Sequence, residues 1–272
     1  MTLPRIGVFD SGVGGLTVLR AMSGHLAAHY LYFGDTARLP YGTKSADTVA
    51  RYAIGATRFL ESQNIDLLVI ACNTATALAL PQIIETARVP VLGVVDPGAG
   101  MAAEVSRTRS AIVIATDATV TSHAYRDALR KHGMQAYEKA CPLFVPLVEE
   151  GWIDHPVTEQ VARIYLGEAL AESTGEADVL VLGCTHYPLL APLLRRIAPA
   201  AMQVVDSAES TARAVNAMLE LSSKPTTAPS PDVREHRTFR FYVTDSTDKF
   251  KRLATQFLGR QVDHVERVDL GG

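Results

Sequence analysis

Cysteine is scarce in this chain: three residues in 272, Cys72, Cys141 and Cys184. A small odd number excludes a disulfide framework, and in a reducing compartment all three are expected as free thiols. An excess of one charge is lacking too. A net charge of −3 leaves no broad basic surface, so no nucleic-acid partner is expected. No uninterrupted apolar stretch is long enough to span a bilayer, so no membrane partner is expected. The N-terminus enters the strand-like Ile6-Gly7-Val8-Phe9 within a few residues and lacks the charged-then-apolar pattern of a signal peptide. These absences predict a soluble cytoplasmic protein. Zinc signatures are also missing. Cys184-Thr185-His186 does not have the spacing of a structural site, Cys72 has no close second ligand, and His25 and His29 lack the glutamate of a metalloprotease helix. No metal is expected.

Apolar residues are plentiful, at 47% of the chain, enough for a well-buried core. They gather in short runs: Ile6–Phe9, Leu31–Phe33, Leu67–Ala71, Val91–Val94, Ala111–Ala115, Val179–Leu182 and Gln203–Val205. Runs of this kind, bounded by Gly, Pro or Asp, suit strands buried on both faces. Helical patterns intervene, as in Ala46–Gln63, where Val49, Ala53, Ala56 and Leu60 recur three or four residues apart. Strand and helix in alternation predict an α/β fold with mostly parallel sheets flanked by helices.

Two segments look like copies of one another. Val69-Ile70-Ala71-Cys72-Asn73-Thr74 and Val181-Leu182-Gly183-Cys184-Thr185-His186 are both apolar runs that stop at a cysteine followed by small polar residues. Each half also opens with a strand ending in a polar tip, Asp10-Ser11 in one and Thr116 in the other. Two pseudo-symmetric domains with the active site in the cleft between them are therefore expected. The expected division is 1–95 plus 207–224 for the first domain and 96–206 for the second. Residues 225–272 form a linker and a C-terminal appendage packed on the first domain. Pro225, Pro229 and Pro231 among polar residues mark the linker. Phe239–Val243 reads as a strand, Thr247–Leu258 as an amphipathic helix and Val262–Val268 as a further strand.

Thiols offered from two matching halves suit a reaction in which a proton leaves one face of a carbon and returns on the other. A cysteine at a helix N-terminus is expected to have a lowered pKa, which would supply thiolate. His186 can assist Cys184, and Asp10 can assist Cys72. Asp10-Ser11-Gly12-Val13-Gly14-Gly15 joins a strand to a helical pattern. It is not a dinucleotide fingerprint, because Thr17 stands where the third glycine belongs, and it lacks the lysine of a P-loop. Cys141, in an apolar setting, reads as a core residue. A cysteine–histidine hydrolase would leave one of the two cysteine-tipped strands without a role.

Ile6–Leu16, Gly34–Gly42, Cys72–Ala75 and Gly183–Pro188 resemble the glutamate racemases, and the resemblance covers roughly residues 5–220. It implies an enzyme, with no cofactor, that interconverts L- and D-glutamate for peptidoglycan synthesis and commonly forms homodimers. It makes Cys72 and Cys184 the acid/base pair, the first serving the D-enantiomer and the second the L-enantiomer. By the same resemblance Asp10 and His186 assist, and Asp35 and Glu149 support activity, with Glu150 the neighbouring alternative. Ser11, Tyr41, Gly42, Asn73, Thr74, Thr185 and His186 match substrate-binding positions, Asp10 faces the same substrate, and Thr116 and Thr119 add contacts. A racemase acting on aspartate or a hydantoin, and a non-catalytic amino-acid-binding protein on the same scaffold, remain as alternatives.

Overall fold

The apolar runs become strands because their side chains are buried on both faces of a sheet. In the computed structural model, which describes residues 3–222 and 237–271, all four residues of Leu67–Ile70 and all five of Val179–Gly183 are buried. The described strands are β1 (Arg5–Asp10), β2 (His29–Gly34), β3 (Leu67–Ile70), β4 (Val91–Gly93), β5 (Ser110–Ala115), β6 (Gln135–Ala140), β7 (Val179–Gly183), β8 (Gln203–Asp206), β9 (Thr238–Val243) and β10 (Glu266–Arg267). They form two sheets, ordered β10-β9-β2-β1-β3-β4 and β6-β5-β7-β8. Every pairing in both sheets is parallel.

The second sheet repeats the inner order of the first. β1 lies between β2 and β3 with β4 outside, and β5 lies between β6 and β7 with β8 outside. The expected duplication is therefore present in the topology. Cys72 follows β3 and Cys184 follows β7, so the two cysteines occupy equivalent strand tips. The α/β class with two helix-flanked parallel sheets agrees with the reading from sequence.

One strand escaped that reading. β6, Gln-Ala-Tyr-Glu-Lys-Ala, lies at the edge of its sheet and is only partly buried. An edge strand has no need of an apolar run, so its polar sequence gave no signal. At the C-terminus the expected strand over Val262–Val268 shrinks to Glu266–Arg267. The linker prolines lie outside the described residues.

The appendage extends the first sheet, because β9 pairs with β2 along six residues. Its helix, Thr247–Leu258, is capped by Ser246, whose hydroxyl accepts from the Lys249 amide. Phe250 from this helix packs against Tyr32 and Phe241, with ring centroids 5.9 and 6.1 Å away. The helix Ser207–Ser222 bridges the two halves, packing on the Leu16–His25 helix of one and the Val95–Val105 helix of the other. Among the described residues no helix is long and apolar enough to cross a membrane.

Candidate active site

In parallel sheets ligands bind at the carboxyl ends of the strands, where backbone amides point outward unpaired. Here those ends carry the polar residues that the sequence singles out. Asp10 closes β1, Asp35 follows β2, Cys72 follows β3, Thr116 follows β5 and Cys184 follows β7. Cys72 is also the N-cap of the helix Asn73–Thr86. Its sulfur accepts from the Ala75 amide and donates to Ser11 Oγ, both at 3.4 Å. Cys184 precedes a short 3₁₀ turn, Tyr187–Leu190, rather than a long helix.

The two halves are tied together over this site. Thr74 Oγ1 lies 2.9 Å from Thr116 Oγ1 and 3.2 Å from Thr119 Oγ1, and the latter two are 2.9 Å apart. Tyr125 donates to Asn73 Oδ1 at 2.7 Å. Thr17 Oγ1 donates to the Thr185 carbonyl at 3.1 Å. Gly42 lies against Thr116: a Cβ there would stand 3.1 Å from Thr116 Cβ. At Gly14 a Cβ would come within 2.2 Å of Thr185 Oγ1 and 2.5 Å of His186 Nδ1. The first loop therefore touches the second cysteine's motif directly.

Among the described residues, three buried polar atoms in this region have no partner: Asp10 Oδ1, Asn73 Nδ2 and His186 Nδ1. Buried donors and acceptors are ordinarily satisfied, so this concentration marks a place prepared for a polar ligand. His186 Nε2 lies 3.3 Å from Glu149 Oε1. Glu150, in contrast, is exposed. Asp35 is fully engaged, accepting from Tyr41 Oη at 2.6 Å, Thr244 Oγ1 at 2.9 Å and Arg38 at 3.1 Å. Its geometry is that of a group that fixes Tyr41. Among the described residues no cluster of three or more His, Cys, Asp or Glu side chains is arranged to hold a metal ion.

The electrostatics differ from expectation at the thiols. Burial pushes Cys72 up to about 11, with Asp10 adding to the shift and the Ser11 hydroxyl and the Ala75 amide opposing it. Burial pushes Cys184 up as well. The nearby Cys72 and Asp10 add to that shift, and the backbone amides of His186 and Tyr187 oppose it. Desolvation thus outweighs the N-terminal amides that alone would have favoured thiolate. Burial also raises the Asp10 carboxyl, despite His186 and the amides of Gly12 and Gly15. Hydrogen bonding to His186 lowers Glu149, helped by Lys249 and opposed by burial.

A stability consequence follows from the sign of these shifts. A buried thiol holds its proton more tightly in the folded chain than in the unfolded one. Once pH passes the ordinary thiol value of 9.0, the unfolded chain gives up protons that the folded chain keeps. Stability therefore falls as pH climbs from there, by up to about 1.4 kcal/mol per pH unit for each such thiol. Urea unfolding of wild type and Cys72→Ala at about pH 8 and about pH 10 checks this, and the variant should lose less on going up. An equal loss in both proteins would show that Cys72 contributes nothing. Cys141, whose thiol burial also pushes up, belongs to the core as expected and makes its own contribution in both proteins.

Several residues that build the site carry no local signal in the sequence. Tyr125 orients Asn73 from 52 residues away. Phe257 stands edge-on to the His186 ring at 5.1 Å. Lys249 reaches Glu149 at 3.3 Å. Only an interleaving of distant elements brings them together.

Comparison with known proteins agrees with this arrangement. The model of the Asp/Glu/Hydantoin racemase family matches residues 6–215. A glutamate racemase of Koribacter versatilis is 59% identical over 99% of this chain and 98% of its own length. The crystal structure of glutamate racemase from Francisella tularensis, in complex with D-glutamate, superposes with a TM-score of 0.88. It is 33% identical and matched over 99% of both chains. That from Thermus thermophilus, in complex with beta-chloro-D-alanine, gives a TM-score of 0.84 at 42% identity over 98% of this chain and 97% of its own. Agreement in sequence and backbone over nearly the whole length makes the chain a member of the Asp/Glu/Hydantoin racemase family, alongside the glutamate racemases.

Proposed function

We propose that the chain interconverts L- and D-glutamate by a two-base mechanism, without a cofactor, with Cys72 and Cys184 on opposite sides of the substrate's α-carbon. The observation that carries this reading is the pair of thiols at equivalent tips of two like sheets, beside unpartnered atoms of Asp10, Asn73 and His186. One thiol, as thiolate, removes the α-proton, and the other, as thiol, delivers a proton to the opposite face. Cys184 serves the L-enantiomer and Cys72 the D-enantiomer. Asn73 Nδ2 and the hydroxyls of Thr74, Thr116, Thr119 and Thr185 are suited to the α-carboxylate, and Asp10 to the ammonium. Ser11, Tyr41 and Gly42 complete the wall, Asp35 holds Tyr41, and Glu149 holds His186.

The α-proton of an amino acid is a very weak acid. Its removal needs donors already aimed at the carboxylate where negative charge develops. Water must be excluded, so that the proton is exchanged by the thiols alone. A substrate ammonium also supplies the opposite charge that the buried thiols lack. Opposite charge favours the ionised form and so works against the burial that raises both thiols. The product suits peptidoglycan synthesis in the cytoplasm, and a homodimer is the expected assembly. We assign 1–95 plus 207–224 to one domain, 96–206 to the other and 225–272 to the appendage.

Purified protein with L-glutamate in D2O and no added cofactor tests the reading. The circular dichroism of glutamate should decay to zero, with deuterium at the α-carbon of the D-product by mass spectrometry. Exchange with aspartate or a hydantoin but not glutamate would move the substrate and keep the mechanism. Exchange with none of them would put a binding protein first.

A further inference from the structure

Helix Thr247–Leu258 belongs to the C-terminal appendage, yet one stripe of it reaches the second cysteine's motif. Lys249, Leu253 and Phe257 recur every four residues, which puts them on one helix face. Lys249 Nζ lies 3.3 Å from Glu149 Oε2, while Glu149 Oε1 lies 3.3 Å from His186 Nε2. Phe257 meets the His186 ring at 79° with centroids 5.1 Å apart. Leu253 and Phe257 are buried, whereas Lys249 is half exposed. The imidazole two residues beyond Cys184 is therefore held by the appendage twice, directly at its edge and indirectly through a carboxylate.

We propose that Lys249 and Phe257 are positioning residues for the proton transfers at Cys184, acting through Glu149 and His186. The inference rests on the two-thiol reading above. An exposed ion pair alone stabilises a protein little, so the value of this one is geometric. Lys249 fixes one oxygen of Glu149 and leaves the other aimed at Nε2. With Nε2 engaged and the ring edge against Phe257, Nδ1 is turned to the site, where it has no partner among the described residues. The counterpart at Cys72 uses Ser11 and the Ala75 amide instead, so the appendage bears on one half of the reaction only.

That one-sidedness gives the test. Lys249→Met keeps the aliphatic stem and removes the charge. It should lower kcat by about tenfold in both directions, a fraction of what general acid–base catalysis supplies. Because the enantiomers have equal free energy, kcat/KM falls equally both ways. The α-deuterium isotope effects on kcat/KM should instead move apart. The effect rises for the enantiomer that Cys184 deprotonates, expected to be L. It falls toward unity for the other, where Cys184 acts only after the labelled proton has gone. Phe257→Leu should shift them in the same sense, and Lys249→Arg should restore the wild-type pattern. In a Glu149→Gln background, Lys249→Met should cost nothing further. Isotope effects that stay put or move together, or losses that multiply across Lys249 and Glu149, overturn the inference. A wild-type chain that exchanges no α-proton overturns the reading beneath it as well.

Discussion

Replacing either Cys72 or Cys184 by alanine will lower racemisation by about 10³-fold or more, the scale expected when a positioned acid or base is removed outright. Asp35 is held by three donors and is not free to take the place of a missing thiol. The two variants should nevertheless differ in what they retain. With Cys184 gone, Cys72 can still remove and return a proton on its own face, so the D-enantiomer exchanges its α-proton with D2O without inverting. With Cys72 gone, the L-enantiomer does so. Polarimetry combined with α-deuterium incorporation separates exchange from inversion. Full two-way turnover by either variant would falsify the two-base assignment.

Gly14→Ala should also damage catalysis, although it adds one methyl group and removes nothing. The new Cβ would stand 2.2 Å from Thr185 Oγ1 and 2.5 Å from His186 Nδ1, so the loop or the second motif must give way. Misplacing reactive groups by about 1 Å costs on the order of 10²-fold in rate. Overpacking of this kind costs about 1–3 kcal/mol in stability, which leaves the chain folded. Gly24 is the control: among the described residues nothing lies within 4 Å of a Cβ there, and alanine favours its helix. The expected result is a loss of kcat/KM of about 100-fold for Gly14→Ala with Gly24→Ala close to wild type. Near-normal activity in Gly14→Ala would mean that Thr185 and His186 need not be held where the structure has them.

Much of this architecture is legible in the sequence because parallel strands buried on both faces must be apolar throughout. β1, β3, β5 and β7 are such strands, and each delivers its polar tip to the same edge of a sheet. The paired motifs ending in Cys72 and Cys184 could be matched to each other for that reason. β6 could not be found, since an edge strand tolerates Gln135, Glu138 and Lys139. The partners of the site residues were equally hidden. Lys249 meets Glu149 across 100 residues of chain, and no local pattern encodes that meeting. The thiols are the sharpest case. A rule about helix N-termini considers only the next few residues, and it favours thiolate at Cys72. Desolvation depends on everything packed around the sulfur, and here it decides the direction.

The depth at which the two thiols lie has a further consequence, for durability. Peroxides and alkylating agents attack the thiolate and pass over the protonated thiol. Thiols held protonated and screened from solvent between turnovers are slow to form sulfenic acid or to be capped. On the two-thiol reading they become vulnerable only while a bound amino acid draws out the proton, when the ligand itself occupies the approach. Such a pair, which would have to stay reduced to work, would be protected most when idle.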